Sequence, residues 1–104
     1  MDRVWKVAKW YRIWYHDEGT MMAQIERAIA AMKNSRSNVK FSDGLKVCLH
    51  YFGEYRVSGS HYIFKTSWPG DPWINIQNDR GKMKPYQVRQ VIKAIDRLEG
   101  EKDA

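Results

Sequence analysis

A single cysteine, Cys48, occurs in the 104 residues. No disulfide can form within the chain, and little is left for a cysteine-based zinc site. A lone thiol fits a reducing compartment such as the cytoplasm. Histidine is scarce too: His16, His50 and His61 are scattered without paired carboxylates, which is not a metal-ligand pattern. No apolar run approaches the about 20 residues needed to cross a bilayer. The N-terminus lacks the apolar core and small-residue cleavage site of a secretory leader. No internal repeat and no low-complexity tract is present. Acidic residues are in deficit, with 12 Asp plus Glu against 18 Lys plus Arg.

What is there reads as one folded domain. The hydrophobic fraction is 43%, ordinary for a globular chain and too high for a disordered one. The net charge of +6 favours polyanionic partners, namely nucleic acid, an anionic surface or an acidic protein. Many basic proteins bind no nucleic acid, so charge alone decides nothing.

Residues 1–19 stand apart as an aromatic and basic extension. They hold Trp5, Trp10 and Trp14, with Lys6, Lys9 and Arg12 interleaved. Val4, Val7, Tyr11 and Trp14 fall at helical spacing. Three readings stay open: a docking helix, a stretch that touches RNA or a membrane surface, or an upstream extension with Met21 or Met22 as the natural start. The domain proper covers residues 20–99, and 100–104 are expected to be a frayed, charged tail.

Within the domain, residues 20–33 form an amphipathic helix with Met22, Ile25, Ala28, Ile29 and Met32 inward and Thr20 as N-cap. A second helix starts at Ser42 as N-cap, buries Leu45, Cys48, Leu49 and Phe52, and ends at Gly53. Three short strands follow, at residues 54–57, 60–66 and 73–77, the last two joined by a Pro69-Gly70-Asp71-Pro72 turn. The last helix opens at Pro85 and turns Val88, Val91, Ile92, Ile95 and Leu98 inward, with Arg89, Lys93 and Arg97 on its wetter side. This order predicts an α+β fold: a three-stranded antiparallel sheet with helices on one face and the other face open.

Alternation then sorts side chains. If Tyr62, Phe64, Ile74 and Ile76 lie beneath the helices, His61 and Lys65 share the open face with Asn75 and Gln77, and Arg56 points the same way. A one-residue slip would invert the set. One imidazole, two cations and two amides suit a phosphodiester: cations for phosphate, amides for base or sugar edges, and a group that exchanges protons near neutral pH. Lys82 and Lys84 add charge beside the last helix, whose N-terminal N–H groups are expected to favour an anion.

Two stretches also carry a family resemblance. Gly59-Ser60-His61-Tyr62-Ile63-Phe64 resembles the glycine-serine-histidine signature of HicA-type toxins. Gly81-Lys82-Met83-Lys84-Pro85 resembles the family's second landmark, at the opening of the last helix. The Asn38-Val39-Lys40-Phe41 lead into a helix ending at Gly53 is similar to one family branch. The match spans about residues 37–98.

The resemblance implies a fold like that of double-stranded-RNA-binding domains. It implies metal-independent ribonuclease activity on translated mRNA with no cofactor, and neutralisation by a HicB-type antitoxin. The family histidine falls on His61, as general acid or base while a ribose 2′-OH attacks the adjacent phosphate. Gly59 and Ser60 would sit against RNA, with Arg56, Lys65, Asn75, Gln77, Lys82 and Lys84 as further contacts. The competing reading is a non-catalytic RNA-binding module. The chain departs from the family at its N-terminal segment and at Tyr62, where many relatives carry a second histidine.

Overall fold

The computed structural model describes residues 6–7, 18–66, 68 and 74–103. In chain order the elements are β1 (Lys6–Val7), α1 (Glu18–Asn34), α2 (Phe41–Tyr51), β2 (Glu54–Ser58), β3 (His61–Phe64), β4 (Ile74–Gln77) and α3 (Pro85–Asp103). The strands form one antiparallel sheet in the order β1-β2-β3-β4. The fold is α+β, with the helices packed on one face of the sheet, as the element order predicts.

The core forms where apolar faces meet. From α1 come Met21, Ile25, Ala28 and Met32, from α2 Val47, Cys48 and Leu49, and from α3 Val88, Val91, Ala94 and Ile95. The sheet supplies Tyr55, Phe64, Ile74 and Ile76. Tyr62 joins them, its ring 5.1 Å from that of Phe41 and stacked 6.2 Å from Tyr55. Gly44 in α2 is a packing residue, because a Cβ there would overlap the Met83 sulfur.

Several local expectations are corrected. The sheet gains a fourth strand, since Lys6 pairs with Tyr55 and Val7 with Glu54. Val7 therefore lies in a strand, which overturns the helical spacing read from Val4 onward; Val4, Tyr11, Trp14 and His16 lie outside the described residues. α1 begins at Glu18, so Thr20 lies inside it rather than at its start. Ile25, Ala28 and Met32 of its expected stripe are buried, Met21 joins them, and Met22 and Ile29 are half-buried against the core. The N-cap of α2 is Lys40, not Ser42, and its side chain makes no capping bond. Backbone pairing explains this: Phe41 N–H donates to Gly81 O at 2.9 Å and Met83 N–H to Val39 O at 2.9 Å, which sets where the helix starts. α3 continues through Gly100 to Asp103 rather than fraying at residue 100. β2 reaches Ser58 and β3 is confined to four residues. The turn at residues 69–72 and Trp73 lie outside the described residues.

Candidate functional site on the open face of the sheet

The register decides which side chains share the helix-free side. His61 stands directly opposite Gln77, and Ile63 opposite Asn75. On the other flank, Ser58 faces His61 and Arg56 faces Ile63. Directly paired residues project from the same face, so Arg56, Ser58, His61, Asn75 and Gln77 lie together, opposite the core residues Phe64, Ile74 and Ile76. The alternation read from the sequence holds without a slip.

The turn that presents His61 is a two-residue hairpin loop, Gly59-Ser60, between β2 and β3. Gly59 takes φ +60, the left-handed region such loops require and side chains resist. Gly59 thus has a structural duty that stands without any ligand. The loop is fixed from the side: Asn78 N–H donates to Ser60 O at 3.1 Å, and Gln77 Nε2 donates to Ser60 Oγ at 3.2 Å.

His61 is half-buried, and its Nδ1 lies 3.1 Å from Asn75 Oδ1. An amide oxygen only accepts, so Nδ1 carries the proton and donates it. With Nδ1 engaged by Asn75, Nε2 is the ring nitrogen left to meet a ligand. A carboxylate plays this orienting part in serine hydrolases; here a neutral amide occupies the place.

Tyr62 projects to the helix side, into the aromatic cluster. A side chain at that position cannot share the His61 face, so the departure there removes no partner from His61.

The remaining candidates divide. Lys65 lies on the same face, opposite Glu54, but at the far end of β3, about 13 Å along from His61 at about 3.3 Å per residue. Its ammonium is 4.0 Å from the Glu54 carboxylate. Arg56 sits between the two ends. Lys82 is exposed and pairs through its backbone with Lys40 and Asp79. Lys84 is half-buried at the start of α3.

At the start of α3, part of the N–H set expected to favour an anion is already used. Pro85 has no N–H, and those of Gln87 and Val88 both donate to Lys84 O, at 2.9 and 3.1 Å.

Sequence reasoning missed Gln87, the one buried polar side chain among the described residues. Its Oε1 accepts from Gln77 N–H at 3.0 Å and Lys84 N–H at 3.5 Å. A glutamine at the third helical position that reaches back to the N-cap is half of a capping box, and the motif was visible as Lys84-Pro85-Tyr86-Gln87. Ser58 was also missed, because its position opposite His61 needs the register.

Three cavities of about 330, 370 and 310 Å³ lie against the helices, lined around Lys46, Trp68 and Asn34 respectively. None of the three includes His61, which is half-buried on the side of the sheet away from the core. No helix among the described residues is long and apolar enough to cross a membrane.

Fold and site together define a small α+β domain with a polar, histidine-bearing sheet face. Compared with known proteins, the chain matches no family model, no curated protein and no solved structure. The resemblance to HicA-type toxins rests on the two motifs.

Proposed function

We propose that this chain is an RNA-cleaving toxin of the HicA type, with a fold akin to double-stranded-RNA-binding domains, acting in the cytoplasm and neutralised by a HicB-type antitoxin. The observation that carries the reading is the placement of His61: within the glycine-serine-histidine motif, on the helix-free face, with Nδ1–H held by Asn75. Nε2 takes the proton from a ribose 2′-OH as its oxygen bonds to the adjacent phosphorus. The P–O5′ bond breaks as the departing O5′ takes a proton from water, the imidazolium returns its proton to solvent, and the products are a 2′,3′-cyclic phosphate and a 5′-OH end. No metal enters this route. Ser60 and Gln77 border the scissile phosphate, and Arg56, Lys82 and Lys84 supply charge along the strand.

His61→Ala separates a ribonuclease from a module that only binds RNA. General acid–base catalysis contributes about 10²–10⁴-fold, so the purified variant should lose cleavage by that factor. Its RNA affinity should stay within a few-fold of wild type, and growth arrest on induced expression should disappear. Cleavage at the wild-type rate by His61→Ala, or no RNA cleavage by the wild-type chain, defeats the proposal. The second result, with RNA binding retained, leaves the binding module.

A further inference from the structure

Among the described residues, Tyr86 is the one large hydrophobic side chain left exposed, at 58%. A single exposed apolar residue is ordinary in itself. Its location is what matters. Tyr86 precedes Gln87, whose side chain accepts from the backbone N–H of Gln77 at 3.0 Å, and Gln77 stands directly opposite His61. The first turn of α3 is therefore tied to the end of the sheet that carries His61. The loop leading into it is anchored to the same end by Asn78 N–H on Ser60 O. Lys82, exposed, and Lys84 lie just before the ring in the chain.

An exposed aromatic ring two and four residues after lysines in the chain has the composition of a single-strand nucleic-acid surface: the ring offers a face to a base, and the ammonium groups meet phosphates. Lysine is depleted from protein–protein interfaces, which argues against a protein occupant. Base-paired nucleotides already have both faces stacked, so only an unpaired base can use the ring.

We propose that Tyr86 is a stacking platform for an unpaired nucleobase, a nucleotide-binding subsite next to, and distinct from, the phosphate position at His61. The inference rests on the ribonuclease reading and adds to it a position that engages one unpaired base.

The test uses the full chain and a short fluorescein-labelled RNA carrying 2′-O-methyl groups, which cannot be cleaved by 2′-OH attack. Binding is measured by anisotropy for this strand, for its duplex, and for versions in which each base in turn is removed. Tyr86→Ala should weaken single-strand binding by about 5- to 150-fold, the range one stacked base contributes, while Tyr86→Trp retains it. The wild-type preference for single strand over duplex should vanish in Tyr86→Ala. One abasic position should cost the wild type a similar factor and cost Tyr86→Ala nothing. Unchanged single-strand affinity in Tyr86→Ala, or equal abasic losses in both proteins, overturns the subsite and leaves the ring to a protein contact. If the wild type binds no RNA, the ribonuclease reading falls as well. Should Tyr86→Ala not fold, the abasic scan of the wild type decides, and a flat scan overturns the proposal.

Discussion

Asn75 and Gln87 show how much a single amide can carry in this molecule. Each uses one side-chain oxygen to hold a neighbour in place: the imidazole of His61 in one case, the backbone of β4 and of the α3 entry in the other. The sequence marks Asn75 only as an amide on the open face, and Gln87 not at all, since polar residues in strands and first turns usually face water.

Cys48 is the opposite case, conspicuous by rarity and silent in function. It is fully buried, and burial pushes its thiol well above the ordinary value of 9.0 because the thiolate would lose its hydration. The folded state therefore keeps the proton, while the unfolded chain releases it near the ordinary value. Stability from this group is complete below that value and declines as pH rises above it. The folded protein should leave Cys48 unmodified by a thiol reagent at pH 8, with full reaction in denaturant. Rapid labelling of the native protein would show the thiol exposed.

Among the elements, α2 starts without a side-chain cap. Lys40 occupies its N-cap with φ −68 and ψ 136, a geometry ready for a capping side chain, yet makes no such bond. Lys40→Ser supplies the missing acceptor and removes a positive charge from the positive end of the helix. It should stabilise the domain by about 1 kcal/mol, read as a rise in Tm of about 4–8 °C. An unchanged or lower Tm would mean that the pairing with residues 81–83 sets the helix start at no cost to the cap.

The elements also mark where sequence reasoning succeeds and stops. Alternation in β3 and β4 was legible because one face must be buried, and a slip would expose Phe64 and Ile74 while burying His61. The apolar stripe of α3 was legible through periodicity and that of α2 in part: Cys48 and Leu49 are buried, Leu45 and Phe52 are half-buried, and the buried Val47 was not read. β1 was not, because two residues carry no periodicity and their pairing with Glu54 and Tyr55 is non-local. Ser42 is a good capping residue, but α2 starts at Phe41, whose N–H pairs with Gly81 O, so tertiary pairing outweighs local preference there. The same limit applies to the site. His61, Asn75 and Gln77 fall together by alternation alone, whereas the Lys65 partnership with Glu54, the fixing of the imidazole by Asn75 and the link from Gln87 to β4 require the folded neighbours.

At the scale of the whole molecule, a net charge of +6 makes binding to a polyanion strongly salt-dependent. Lys82→Ala and Lys84→Ala should each lower the slope of log affinity against log salt by about 0.7–1. Lys65→Ala should lower it less, because that ammonium already faces Glu54. Equal slopes for all three variants would place the RNA elsewhere on the surface.

The central claim is that His61 activates a ribose hydroxyl on an open sheet face. The most direct test is to map both ends of RNA cut by the purified chain in the presence of a metal chelator, alongside His61→Ala. The account predicts 2′,3′-cyclic phosphate and 5′-OH ends, undiminished by the chelator and absent with the variant. Ends bearing 3′-OH and 5′-phosphate, a metal requirement, or the same cuts from His61→Ala would contradict it.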